Sequence, residues 1–221
     1  MPTENDPLDP EPGQAVYTPG ILAVYNTAVL RISQPLAWGC PSRRILDLYD
    51  RHVSANHLDI GIGTGYFLNR CTYPVERPEL TLLDMNPNSL RVAAGRLRRY
   101  SPATKQGNVL EPVDLPEESF GSVGMNCLMH CLPGEFTDKA AVFENVKPLM
   151  KPGAWLFGST VLGALPDQNL LGKAILHSYN RKGIWSNYTD DLDGLNKALS
   201  QHFDVFDVTM VGKSALFRAQ R

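Results

Sequence analysis

The sequence is poor in the features that mark several large classes of protein. No apolar run approaches the ~18–20 residues needed to cross a bilayer, so no membrane-spanning helix is expected. Only four cysteines occur, Cys40, Cys71, Cys127 and Cys131, and no two stand in C-x-x-C spacing. A zinc knuckle and a dithiol redox motif are therefore both disfavoured, and no metal site is expected. An excess of charge of one sign is also lacking: 21 Lys and Arg face 23 Asp and Glu, for a formal net charge of -2. Nucleic-acid binders usually carry a basic face. The one dense basic cluster here, Arg91, Arg96, Arg98, Arg99 and Lys105, reads mainly as the wet side of a helix. Residues Met1 to Pro12, rich in Pro, Asp and Glu, hold neither the basic start nor the apolar core of a secretory signal. The expectations are a disordered tail over 1–16, a cytoplasmic location, and no nucleic-acid or membrane partner.

What is present is a single-domain length of 221 residues with no internal repeat and an alternation of strand and helix signals. Thr18-Pro19 opens a helix with the apolar stripe Ile21, Leu22, Tyr25, Val29 and Ile32, which Pro35 should end. Pro41 or Ser42 opens a second helix. Together these form an expected helical lid over 17–53, ahead of a core over 54–221. Strands are expected at 57–60, 80–84, 105–109, 122–128 and 154–161. Helices are expected at 65–71, from Asn86-Pro87 to 99, and over 138–150, 169–179 and 190–202. Lys151-Pro152-Gly153 reads as a turn, and 203–211 with 213–219 as a closing strand pair joined through Gly212. Strand–helix alternation implies an α/β, doubly wound, mostly parallel seven-stranded sheet. The closing pair places an antiparallel last strand in it. Ligands of such sheets sit at the carboxyl ends of the strands, near the switch point.

The segment Asp59-Ile60-Gly61-Ile62-Gly63-Thr64-Gly65 follows the first strand. Glycines let the backbone turn tightly and approach a ligand. Asp84 ends the second strand about 20 residues past the loop, the spacing at which a carboxylate accepts hydrogen bonds from a ribose diol. Two details separate this loop from the dinucleotide pattern. Position 66 is Tyr66 rather than the third glycine of that pattern, and Asp59 would repel a pyrophosphate while suiting an ammonium group.

With these residues in view, the segment resembles motif I of class I S-adenosylmethionine-dependent methyltransferases, and Asp84 resembles the acid of their second motif. Gln106-Gly107-Asn108-Val109, the stretch Phe120 to His130, and Leu149 to Leu156 around the Lys-Pro-Gly turn extend the likeness over roughly 45–219. A departure is Gly121, where many members have an acid near the start of strand four. The resemblance implies a Rossmann-like fold, S-adenosylmethionine as cofactor and a small-molecule methyl acceptor. It implies that Asp59, Gly61, Gly63 and Gly65 cradle the methionine part, that Asp84 binds the ribose, and that Met85, Asn108 and Val109 meet the adenine. Asn126 would line the cofactor, and Tyr17 and Tyr25 on the lid would touch cofactor or substrate.

Methyl transfer from a sulfonium needs alignment and dryness, and a base only when the nucleophile arrives protonated. His130, in the loop after strand four, is the candidate base, set against a plain packing role. Cys127 invites a nucleophile reading, but lacks the Pro-Cys step seen in pyrimidine methyltransferases. The segment Tyr179 to Tyr188 is a second lid candidate, in which Arg181 and Lys182 would meet an acidic substrate and Trp185 would stack on a flat one. The expected reaction is methyl transfer to oxygen, nitrogen or carbon of a small molecule, with specialised metabolism as one setting. Three alternatives stand beside it: use of the sulfonium as a fixed charge, a non-catalytic subunit, and an NAD(P)-dependent oxidoreductase.

Overall fold

A computed structural model describes residues 9–15, 18, 20, 30 and 32–221. Tyr17, Tyr25 and the expected helical stripe from Ile21 to Val29 lie outside the described residues. The described chain begins with α1 (Glu11–Ala15), α2 (Gln34–Trp38) and α3 (Ser42–His52). The core then runs β1 (Asn56–Ile60), β2 (Glu79–Asp84), α4 (Pro87–Arg96), β3 (Ala103–Gln106) and β4 (Phe120–Asn126). It continues through α5 (Phe136–Lys139), α6 (Ala141–Val146), β5 (Met150–Val161), α7 (Leu170–Arg181) and α8 (Leu192–Ser200) to β6 (Val205–Val211) and β7 (Ser214–Gln220).

The seven strands form one sheet in the order β3-β2-β1-β4-β5-β7-β6. Strands β1 to β5 pair in parallel, and β7 lies antiparallel between β5 and β6. The chain therefore leaves β1 toward one edge and resumes at β4 on its other side. This reversal opens the switch-point crevice at the carboxyl ends of β1 and β4.

Both faces of the sheet are covered. Because strand side chains alternate between faces, Leu58 and Ile60 of β1 join the core under α5, α6 and α8, with Phe136, Phe143 and Leu195. Leu80 and Leu82 of β2 join the other core, with Ile45 and Tyr49 of α3 and Leu90 and Ala93 of α4. Helix α3 thus belongs to the sheet's covering layer rather than to a lid. Asn86 caps α4, its side chain accepting from the Asn88 N–H at 2.8 Å, with Pro87 in the first turn where no amide hydrogen is needed.

Several expected elements change. Residues 11–15, inside the expected disordered tail, form α1, which is anchored where Asn86 Nδ2 donates to the Gln14 carbonyl at 2.7 Å. Pro35 does not end a helix: Ile32 and Ser33, in a π-helical turn, run straight into α2, whose first turn holds Pro35. The expected helix at 65–71 is a series of turns. Its Leu68 carbonyl accepts from the Tyr73 hydroxyl at 2.7 Å, and the Thr72 N–H, which would have continued the ladder, donates to Asp50 at 2.7 Å. The single helix expected over 138–150 is divided into α5, α6 and a 3-10 turn at Lys147–Leu149, where Pro148 supplies no N–H. Lys151-Pro152-Gly153 lies within β5, as a bulge: β4 advances two residues from Phe120 to Ser122 while β5 advances from Met150 to Trp155. Strand β4 ends at Asn126, two residues earlier than expected, because Cys127 turns into the left-handed region at φ 57°.

Candidate active site

Two cavities meet beneath the glycine loop at the carboxyl ends of β1, β2 and β4. The larger holds about 710 Å³, counting the space open to solvent at its mouth. Asp84, Met85, Asn108 and Val109 form one side, Gly61, Gly63 and Asn126 the floor, and Leu128, Cys131 and Leu132 an apolar wall. Pro10, Gly13 and Gln14 of the α1 segment close over it. The smaller cavity, about 380 Å³, is lined by Asp59, Thr64, Tyr66 and Phe67 on the loop side and by Leu30 and Tyr49. Gly61, Gly63, Asn126 and Cys127 border both.

The three loop glycines all have positive φ, of 66°, 53° and 68°. They serve different ends. A Cβ on Gly63 would meet nothing within 4 Å, so its backbone faces open cavity. A Cβ on Gly61 would stand 2.8 Å from Leu128. Gly65 does not line either cavity; a Cβ there would press on Ala93 at 3.2 Å, so it permits close packing of the loop against α4.

Asp84 holds the loop and faces the cavity. Its Oδ1 accepts from the Asn86 N–H at 2.8 Å and its Oδ2 from the Gly63 N–H at 3.4 Å. Burial raises its pKa to about 6, against those two hydrogen bonds, which lower it. Asp59 is 2 % exposed, and its Oδ2 accepts from the Tyr49 hydroxyl at 2.7 Å and lies 3.3 Å from His57 Nε2. Asn108 reaches the cavity wall as part of a local turn, its Oδ1 accepting from the Leu110 N–H at 3.0 Å. Asn126 sits where the two cavities join. Its amide lies close to the Tyr49 hydroxyl, a phenol whose pKa burial and the Asp59 charge push well up, yet neither amide atom has a hydrogen-bond partner of good geometry among the described residues. A buried amide with no partner is costly unless a ligand supplies one.

His130 is not brought to either cavity. It is 4 % exposed, its Nδ1 accepts from the Val161 N–H at 3.2 Å and lies 3.3 Å from Thr160 Oγ1, and its ring meets Trp185 edge-on at 4.5 Å. Burial, with the nearby Lys139 charge, lowers its pKa to about 3. Trp185 is likewise packed away, 5.5 Å from Trp38 and 5.1 Å from Tyr179, rather than presented to a substrate. Its place in that cluster is secured by a buried ion pair: Lys139 Nζ donates to both Asp190 oxygens, at 2.8 and 2.7 Å, and to the Ser186 carbonyl. Cys127 borders both cavities, but burial pushes its thiol up to about 12, and Gln34 Nε2 donates to its sulfur at 3.2 Å. A thiol held protonated in this way is a poor nucleophile.

Sequence reasoning missed the α1 segment, Cys131 and Leu128 as cavity walls, and Tyr49 and His57 as the partners of Asp59. Among the described residues no group of three or more His, Cys, Asp or Glu is placed to hold a metal, and no helix is long and apolar enough to cross a membrane.

The cavity pair fits an adenosyl amino acid. One carboxylate, Asp84, faces the larger cavity; a second, Asp59, faces the smaller; and an unpartnered amide lies between them. Comparison with known proteins agrees. Residues 58–156 match the model of a methyltransferase domain. The chain is 40% identical over 207 residues to demethylluteothin O-methyltransferase of Streptomyces thioluteus, covering 94% of this chain and 90% of that one. It is 38% identical over 213 residues to the physcion biosynthesis cluster O-methyltransferase of Aspergillus chevalieri, covering 96% of each. Among solved structures, a SAM-dependent methyltransferase from Aquifex aeolicus shares the fold with a TM-score of 0.60 at 15% identity, over 96% of this chain and 98% of that one. With that kinship the dinucleotide-oxidoreductase reading loses its support. The chain belongs to the class I S-adenosylmethionine-dependent methyltransferases, enzymes of α/β Rossmann-like fold, and transfers a methyl group from that cofactor to a small-molecule acceptor.

Proposed function

We propose that this enzyme methylates a hydroxyl oxygen of a small, partly apolar acceptor made in secondary metabolism. The observation that carries the reading is the junction of the two cavities at Asn126 and Cys127, walled by Leu128, Cys131 and Leu132. An acceptor reaching that junction meets thiol and aliphatic surface, which suits a compact ring system better than a charged polymer. The names of the relatives at 40% and 38% identity, both O-methyltransferases, support oxygen as the atom.

In this reading Asp84 accepts from the ribose hydroxyls, while Met85 and Val109 pack on the adenine and Asn108 stands at its edge. Asp59 receives the ammonium, and Gly61 and Gly63 let the backbone approach the methionine part. Gly65 contributes by seating the loop on α4. Asn126 pairs its orphan amide with the bound ligands. Tyr17 and Tyr25 keep the covering role expected of them, in the part of the lid that precedes α3. The cofactor supplies an electrophilic methyl group on a sulfonium that leaves as a neutral thioether. A phenolic or enolic acceptor that loses its proton to solvent before it is enclosed arrives as the oxyanion, so the residues of this chain have to align that oxygen and exclude water. His130 acts as a strut that satisfies the Val161 N–H and packs Trp185, not as the base. A cytoplasmic setting accords with four cysteines that are all free.

The test is incubation of the purified enzyme with S-adenosylmethionine and a panel of phenolic, enolic, amine and acid acceptors, with methylated products identified by mass spectrometry. O-methylated product from the hydroxyl acceptors is expected. Product from the amines alone would overturn the oxygen reading.

A further inference from the structure

Three polar side chains lie buried directly behind Asp59, and the methyl-transfer chemistry uses none of them. Strand periodicity puts His57 and Asp59 on the same face of β1, toward α3. There Asp59 Oδ2 receives the Tyr49 hydroxyl at 2.7 Å and faces His57 Nε2 at 3.3 Å. His57 Nδ1 is 2.8 Å from Ser122 Oγ, which donates onward to Ser54 Oγ at 2.9 Å and accepts from the Ser54 N–H at 2.8 Å. Ser54 Oγ ends the chain by donating to the Asn56 carbonyl at 2.6 Å. His57 is 0 % exposed and Tyr49 2 %. Phe157 seals the group, stacked on His57 at 5.7 Å and edge-on to Tyr49 at 5.1 Å.

Two glycines of β4 make room for this chain. Gly124 pairs in register with Asp59, and a Cβ there would stand 2.9 Å from Asp59 Oδ2 and 3.2 Å from His57 Nε2. Gly121 stands at the start of β4, and a Cβ there would stand 2.8 Å from Ser54 Oγ. Glycine weakens a strand interior and marks a place where another group comes close. Here the close groups are the two ends of one hydrogen-bonded chain.

We propose that Tyr49, His57 and Ser122 are positioning residues that hold the Asp59 carboxylate in one orientation and so set the enzyme's affinity for the amino-acid end of its cofactor. The proposal rests on the ammonium-binding role given to Asp59 above. A carboxylate oxygen held by the Tyr49 hydroxyl and flanked by the His57 ring keeps its free lone pairs aimed into the smaller cavity. Released from them, it rotates, and its contact with an ammonium is lost part of the time. The adenosine end, in the larger cavity, is untouched by that rotation.

The experiment compares two ligands by calorimetry: S-adenosylhomocysteine, which carries the ammonium, and 5′-methylthioadenosine, which lacks the amino-acid group. Asp59→Asn, Tyr49→Phe and His57→Gln are each measured against the unaltered enzyme. Tyr49→Phe is expected to weaken S-adenosylhomocysteine about tenfold, the order for a lost hydrogen bond to a charged group, and to leave methylthioadenosine within about twofold. His57→Gln, which retains a donor, should fall between, and it carries the test if Tyr49→Phe does not fold. Equal weakening of both ligands would show a general loosening of the fold and overturn the proposal. Weakening by Asp59→Asn with no effect of Tyr49→Phe or His57→Gln would overturn the relay while sparing Asp59. An Asp59→Asn enzyme with unchanged affinity would remove both the relay and the ammonium role.

Discussion

At His130, a ring nitrogen useful as a base competes with a ring nitrogen needed as a backbone acceptor. The Val161 N–H occupies Nδ1, and burial pulls the pKa to about 3, so the ring stays neutral where enzymes work. A general base is most effective with a pKa near the operating pH, and this one is far below it. His130→Gln, which can still accept from Val161, is therefore expected to keep kcat within a few-fold near neutrality in initial-rate assays. A loss of about 10²-fold or more with unchanged cofactor affinity would restore the base role. The same depression has a consequence for stability. The folded-state pKa lies below the ordinary value of 6.5, so the unfolded chain takes up a proton that the folded one refuses. This one group takes away about 2 kcal/mol of stability between pH 7 and pH 5, against the opposite trend of the buried Asp84 and Asp190 carboxyls. Urea unfolding at the two pH values should show that loss shrinking in His130→Gln.

Among the elements, the segment between β5 and α8 depends on one buried contact. Lys139 of α5 and Asp190, both with fully buried side chains, form a bidentate pair, and Lys139 also holds the Ser186 carbonyl. Lys139→Met would leave a buried carboxylate without its cation, at a cost of about 3–5 kcal/mol, whereas pairing it with Asp190→Leu should recover much of that loss. Denaturant midpoints of the two variants and the unaltered enzyme test this; a Lys139→Met midpoint equal to that of the unaltered enzyme would show that the pair contributes little. The pair also marks the limit of what is legible in sequence. The glycine loop, Asp84 and the Asn86-Pro87 cap are local patterns, and they locate β1, β2, α4 and the crevice. Lys139 and Asp190 are 51 positions apart, and Tyr49 reaches Asp59 across a change of element, so neither contact leaves a periodic trace. The turns at 65–71 escaped for a related reason, since a helical pattern there is overridden by the Tyr73 hydroxyl and by Asp50 from α3. From the sequence His57 is only the first residue of an expected strand, and it is β4 that brings Ser122 beside it.

For the molecule as a whole, the cofactor site is also a reservoir of stability. Asp84 carries a carboxyl group whose pKa is raised to about 6 by burial, so its charge costs the folded protein increasingly as pH rises from the ordinary carboxylate range through 6. Ribose hydroxyls donate to the charged form and offset that cost, so binding favours the ionised carboxylate and expels the proton. S-adenosylhomocysteine at a hundred times its Kd should then stabilise the fold by about 2.7 kcal/mol, which for a chain of this size is a rise in melting temperature of roughly 5–10 °C. With ligand concentration held constant, the rise at pH 5 should be smaller than at pH 7.5. Asp84→Asn, uncharged at both, should reduce the rise at pH 7.5 and flatten the difference. NAD(H) at the same concentration should leave the melting temperature unchanged, because Asp59 in the smaller cavity repels a pyrophosphate. A ligand-induced rise that is the same at both pH values would place the ribose away from Asp84 and return the larger cavity's carboxylate to a purely structural role, bracing the glycine loop through the Gly63 and Asn86 N–H groups.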